Sequence, residues 1–283
     1  MLDTALPSLL QHCHALPWHL LQPRQPVDTE RWNEAWADAL GQLHEFASHG
    51  YYGLDMQDLA PGSQQQAWDD WRDAVRQALR LPELAYTRGL SLTSLEALFE
   101  HVLHCCNEFA SMARSANEKG LAHHRTLEVA GQDYASAVQL LAFPVLLERQ
   151  ELIPPIVQRL LDNQCDRLLD YLSAAACDKT EAVEALFCPE PYAALTPFFE
   201  QLEVCSAPLQ AYLQQAYPAT ADTLSPASWT DIANHHWAWE VAALVVLYDL
   251  NDNAFAAHPR YPADMVAFAR QRLDASYPQS LRA

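Results

Sequence analysis

Apolar residues recur along most of this chain at the three- and four-residue spacing of one helix face, and almost nowhere with the alternation of a half-buried strand. Asp28 stands where an N-cap would open a helix with Trp32, Trp36, Leu40, Leu43 and Ala47 on one side. Trp68, Trp71, Val75 and Leu79 make a second stripe, which Pro82 is expected to stop. Thr93 and Glu96 have capping-box spacing. Leu95, Leu98, Phe99, Val102, Cys106 and Phe109 follow as the core face of a helix ending by Gly120. A fourth helix is expected over 132–149, kinked or split at Pro144. A fifth opens at Pro154–Pro155 and carries Ile156, Leu160, Leu161, Leu168, Leu169 and Leu172. Shorter helices are expected over 180–187, 192–204 and 209–217. The stretch 227–250, apolar nearly all round from Trp237, reads as the most buried helix, and an amphipathic helix from Pro262 to about Asp274 follows it.

Glycine supports the same reading. There are only 7, all at or before Gly131, so the residue that tight hairpin turns need is missing from the second half. The expected fold is all-α, a multi-helix bundle or stacked helix pairs with little or no strand, and no segment repeats at a fixed period. Short helices and prolines cluster near 175–190. The expected organisation is an N-terminal arm over 1–27, a helical domain over 28–180 and a second helical domain over 181–283.

Composition adds a core and a charge. Half of the 283 residues are hydrophobic, with 8 Trp, 11 Tyr and 9 Phe, which excludes disorder. Lys and Arg total 17 against 36 Asp and Glu, a formal charge of −19. Phosphate binding needs a basic face, so nucleic acid and anionic membrane are excluded as direct partners, and a basic partner is favoured. Lys119 and Lys179 are the only lysines, and the acids run from Asp3 to Asp274 rather than gathering in a tail. Ahead of Arg24 no basic residue precedes the apolar N-terminal stretch, as a secretory signal would require. The longest clean apolar run, 241–248, is too short to cross a membrane. Seven cysteines without a CxxC pair suit free thiols in a reducing cytoplasm.

Most patterns that would carry chemistry fail. His44-Glu45…His49 puts the second imidazole at i+5, one residue beyond the zinc-protease spacing. His101, His104, Cys105 and Cys106 share one helix and are the strongest metal candidate; His101 and Cys105 share a face, but two ligands do not make a site. His123–His124 and His235–His236 are adjacent pairs whose rings diverge on a helix. Asp249, Asn251 and Asn253 open like a calcium loop, but Ala254 and Arg260 occupy the positions that need Gly and Glu. Phosphate-loop, dinucleotide and nucleophile-elbow motifs are absent. The expectation is a protein without cofactor, metal or catalytic residue; a helical metal-dependent enzyme built on 101–106 and a general acidic adaptor or DNA mimic are the rivals.

The acids form clusters. Asp162, Asp166 and Asp170 at i, i+4, i+8 would stack into one ridge on a single helix. Asp69, Asp70 and Asp73, then Glu181 with Glu184, then Asp249 with Asp252, form three more. Each is a solvated face or a negative surface awaiting a cation. Glu240, inside Trp237-Ala238-Trp239-Glu240-Val241-Ala242-Ala243, must instead be paired internally, by an Arg or backbone amides. Trp18, Trp32 and Trp36 are candidates for an exposed face between copies.

That last segment carries a resemblance. Trp237, Trp239, Glu240, Ala242 and Ala243, the Asp249–Asp252 loop, and Tyr261-Pro262 followed by Asp264 resemble the C-terminal domain of PoNi-type immunity proteins. Tyr86-Thr87-Arg88-Gly89 and Asp166-Arg167-Leu168-Leu169-Asp170 are similar to that family's N-terminal turn and its Asp-x-Leu-hydrophobic-Asp helix, so the likeness spans about residues 30–275. His235–His236 departs from it, standing where a Gly–aromatic pair is common.

The resemblance implies an all-helical inhibitor, without cofactor or catalysis, of a cognate antibacterial nuclease of the PoNe or related restriction-endonuclease-like classes, often delivered by type VI secretion. It leaves open a toxin that is not a DNase. The implied mechanism is occlusion of the toxin's active site or DNA path by acidic surface, with Asp166, Asp170, Glu181, Glu184, Asp249 and Asp252 as toxin contacts. Trp237, Trp239, Glu240, Tyr261, Pro262 and Asp264 would be structural.

Overall fold

The computed structural model describes residues 5–24, 29–49, 52, 54, 58–118, 125–131, 133–179, 182–201, 205–217 and 237–276. Asp28, Glu181, His123–His124 and His235–His236 lie outside them, as does the first part of the helix expected over 227–250. Among the described residues there is helix and turn and no strand. The chain divides into two compact units, 1–127 and 128–283.

The first unit consists of α1 (Ala5–Ala15), α2 (Thr29–His49), α3 (Pro61–Thr87) and α4 (Leu92–Glu118). α2 packs on α3, α3 on α4, and α1 on both α4 and α2. The tryptophan stripes supply the core: Trp32 and Trp68 are fully buried, and Trp68 and Trp71 pack against Phe109 at 5.0 and 5.8 Å. Glu108 of α4 accepts a hydrogen bond from the Ala5 amide at 3.3 Å and one from the Tyr52 hydroxyl at 3.2 Å. A carboxylate thus satisfies an orphan amide and faces the positive end of the α1 dipole. Within the expected arm, α1 packs on α4 and α2 and buries Leu6, Leu9 and Leu10. Trp32 and Trp36 are buried too, and Trp36 stacks on half-buried Trp18 at 4.1 Å.

Two local expectations change here. α3 runs through Pro82 instead of stopping before it. An interior proline costs about 3 kcal/mol, and the burial of Leu81, Leu84, Ala85 and Tyr86 around it outweighs that cost. α4 begins two residues earlier than a Thr93 cap allows; Ser91 Oγ instead accepts from the Ser94 amide at 3.2 Å.

α3 ends in a left-handed turn that only glycine accommodates. Gly89 has φ +97; its amide donates to Tyr86 O and that of Leu90 to Ala85 O, the paired bonds of a Schellman cap. Arg24 closes this end from outside. Its guanidinium donates to the carbonyls of Tyr86 (2.5 Å) and Leu90 (2.9 Å) and lies 4.1 Å over the Tyr86 ring, a cation at the negative helix end.

In the second unit α5 (Tyr134–Leu146) and α11 (Trp239–Leu247) touch, and both are buried nearly all round. Uniformly apolar helices have no solvent face to offer, so they form the centre. Trp239 meets Phe143 edge-on at 4.9 Å. α6 (Ile153–Arg159), α7 (Arg167–Ser173) and α12 (Ala263–Ser276) pack on α5. α8 (Pro189–Tyr192), a 3-10 turn, α9 (Thr196–Phe199) and α10 (Ala207–Ala216) follow one another as short pieces. The break between units lies at 127/128, well before the division expected at 180, because α5 and α7 pack on α11 and α5 also packs on α12.

The fifth expected helix is two helices. Asp162 and Asn163 adopt φ of +52 and +51, which ends α6, and the Asn163 amide turns back to Val157 O. Asp162, Asp166 and Asp170 therefore do not stack into one ridge. Nor is the segment 182–188 helical; its course follows from the site described next.

Candidate functional site

Asp166 opens α7 in extended backbone (φ −147, ψ 145). Its Oδ1 accepts from the Leu168 and Leu169 amides at 3.0 and 3.3 Å, an N-cap, and from the Tyr134 hydroxyl at 2.7 Å. Its Oδ2 accepts from the amide of Phe187 at 2.7 Å. One turn on, Asp170 Oδ1 pairs with Lys179 Nζ at 2.5 Å and Oδ2 accepts from the amide of Val183 at 3.1 Å. Between these two points the carbonyl of Ala185 accepts from the Arg167 amide at 2.8 Å. Main-chain groups at 183, 185 and 187 are thus held in succession along the start of α7. Both aspartates are interior, at 0% and 2% exposure, so they are not surface contacts. Burial raises the Asp166 carboxyl above its usual range, against the pull of the four hydrogen bonds it receives. The same carboxylate, with burial first, pushes the Tyr134 hydroxyl upward.

What this clamp holds out is a segment, 182–190, a loop whose last two residues open α8. Val183 and Phe187 are 36% and 41% exposed, two of the four large hydrophobic side chains left open among the described residues. Glu184 and Glu190 are exposed beside them. Lys179 is the only Lys or Arg between Arg167 and Arg260, and it is committed to buried Asp170. Arg167 points to Glu200 at 3.7 Å and lies 5.3 Å from the Phe199 ring centre.

The other predicted residues separate into supports and surface. Glu240 is fully buried, and its Oε1 accepts from the hydroxyls of Tyr212 (2.8 Å) and Tyr217 (2.9 Å), so tyrosines stand where an Arg or backbone amides were expected. Asp252 is nearly buried: Tyr261 donates to Oδ2 at 2.7 Å and Arg270 to Oδ1 at 2.9 Å, while Arg270 also reaches Leu250 O at 2.6 Å. It ties the loop after α11 to α12. Trp237, Trp239, Tyr261 and Pro262 are buried. Asp264 is exposed in the first turn of α12, and Asp249 is exposed at φ +47 just beyond α11. Of the six acids expected at the surface contact, Glu184 and Asp249 are exposed, Asp166, Asp170 and Asp252 are interior, and Glu181 is outside the described residues. The exposed apolar pair Val183 and Phe187 is not singled out by the sequence. Their signal was weak, since two apolar residues at i and i+4 read as a helix face.

The first unit carries a second acidic feature, a groove of about 270 Å³ lined by Glu45, Asp70 and Asp73 over Phe46 and Ala74. Gln66 and Arg76 already bond Asp70 and Asp73 from one turn away. The His–Cys helix builds no metal site: among the described residues no three His, Cys, Asp or Glu are grouped to hold an ion. His101 instead meets the His12 ring at 4.5 Å and Ser8 Oγ at 3.3 Å. Cys105 and Cys106 are buried free thiols. Among the described residues no helix is long and apolar enough to cross a membrane.

Residues 164–265, which include both aspartates, the loop, Glu240 and Asp252, match the family described as PoNe immunity proteins (PoNi), C-terminal. The crystal structure of protein PA2201 from Pseudomonas aeruginosa is similar over nearly the whole chain. The TM-score is 0.78 at 30% identity, with 96% of this chain and 98% of that one covered. No curated protein matches.

Proposed function

Because the chain belongs to the PoNi family of immunity proteins, we propose that it is a non-enzymatic inhibitor that binds and neutralises a PoNe-type nuclease toxin. The match of 164–265 to the PoNi C-terminal domain carries this reading. The charge supports it. A nuclease grips phosphate with Lys and Arg, and a chain of formal charge −19 is attracted to that face. Electrostatic steering permits association at up to about 10⁸–10⁹ M⁻¹s⁻¹ at low salt, fast enough to disarm a toxin before it reaches DNA. In this reading the toxin passes between competing bacteria by a type VI secretion system, and the inhibitor stays in the cytoplasm of the producer. Inhibition is by occlusion of the active site or of the path of DNA.

The test is co-expression of a PoNe-type nuclease domain with and without this chain, followed by growth and by the length of chromosomal DNA. Restored growth with intact DNA is the expected result. Fragmented DNA and no complex on co-purification would overturn the proposal. Rescue from a toxin that never cuts DNA would keep immunity and remove the nuclease.

A further inference from the structure

We propose that the loop 182–190 is the element that seats on the toxin: Val183 and Phe187 are its apolar anchors, and Glu184 and Glu190 meet Lys or Arg around them. This rests on the inhibitor reading above and names the contact. Three observations converge on it. The loop leaves two large apolar side chains in solvent, which costs free energy unless a partner covers them. Its main chain is fixed at 183, 185 and 187 by buried Asp170, the Arg167 amide and buried Asp166, so it loses little freedom on binding. Its charge has one sign, because Lys179 is drawn inward and Glu184 and Glu190 remain outside. Two exposed apolar side chains and two carboxylates on one preformed segment suit a protein surface that is cationic, as a phosphate-gripping nuclease presents. Nucleic acid itself is repelled by the same carboxylates.

The experiment uses the full chain and a catalytically inactivated PoNe-type nuclease domain that the wild-type chain binds. Association and dissociation are followed by biolayer interferometry and folding by thermal melting. V183S/F187S is expected to weaken binding about 30-fold or more, mainly through faster dissociation. E184K/E190K is expected to slow association about tenfold at low salt and to flatten its dependence on salt. If V183S/F187S fails to fold, the exposed E184K/E190K pair decides. Wild-type binding with neither variant altered overturns the loop assignment and leaves the inhibitor reading standing. A wild-type chain that binds no such domain overturns both. Loss of self-association in V183S/F187S by sedimentation, with toxin binding intact, would make the loop a contact between copies and also overturn the assignment.

Discussion

Gly89 turns α3 back directly beneath the carbonyl of Gln22: a Cβ at Gly89 would lie 1.9 Å from Gln22 O. The contact joins the segment after α1 to the end of α3, and Arg24 then clamps the same end through the Tyr86 and Leu90 carbonyls. Gly89→Ala meets both a left-handed backbone and an immovable oxygen. It should cost about 2 kcal/mol or more, read from urea unfolding. A loss under about 0.5 kcal/mol would mean that Gln22 moves aside freely.

Glu240 and its two tyrosines form a network that can be cut from either side. Glu240→Ala orphans two buried hydroxyls and opens a cavity, and should cost about 3–5 kcal/mol. Glu240→Gln keeps an acceptor oxygen and should cost clearly less. Tyr212→Phe and Tyr217→Phe should each cost about 1 kcal/mol. Equal losses in the Gln and Ala variants would show that the charge matters and the two hydroxyl bonds do not.

Asp166 uses its two oxygens for different elements, so its amide analogue separates them. Asp166→Asn keeps one oxygen for the cap and Tyr134 but turns an NH2 toward the Phe187 amide. Hydrogen exchange should then quicken at Phe187 while Leu168 and Leu169 keep their protection. Asp166→Ala should expose all three and cost about 1–3 kcal/mol more. Uniform exposure in the Asn variant would contradict the division of roles.

His12 gives the first unit a dependence on pH. Burial, then the facing His101 ring, hold its imidazole below the usual value. Folding therefore favours the neutral form. The stability this ring contributes is complete above about pH 6.5 and is lost as pH falls through its lower folded value. His12→Gln cannot take up that proton. Its melting temperature should fall less than wild type between pH 7.5 and 5.5, and parallel curves would exclude the effect.

The cysteines should divide by burial. Cys13 and Cys105 are pushed up to about 12 by burial, and Cys106 is raised as well. At pH 8 these thiols should resist alkylation in the native chain, whereas exposed Cys165 and Cys205 should react within minutes, as peptide mass spectrometry would report. Labelling of Cys105 in folded protein would show that α4 opens readily.

The all-α class and the long helices were legible because a stripe such as Trp68–Trp71–Val75–Leu79 repeats its signal over several turns. Punctuation was less legible. Pro82 is absorbed by burial that no local pattern reveals. The end of α6 lies in Asp162 and Asn163, residue types that tolerate positive φ yet also read as ordinary helix surface. Without that break Asp166 reads as part of a ridge instead of a cap, and Asp170 as exposed beside it. The charge pattern could mark both as important, but not choose interior over surface, because their partners Tyr134, Val183 and Phe187 come from elsewhere in the chain.

The clamp on 182–190 grips amides and a carbonyl, never a side chain of the loop. Main-chain groups are the same for every residue except proline. Val183, Glu184 and Phe187 can therefore be replaced by almost any other side chain without loss of the bonds that shape the segment. Such an arrangement separates heritable shape from heritable specificity. An inhibitor built this way can follow a drifting opponent by surface substitution alone, with its fold left untouched.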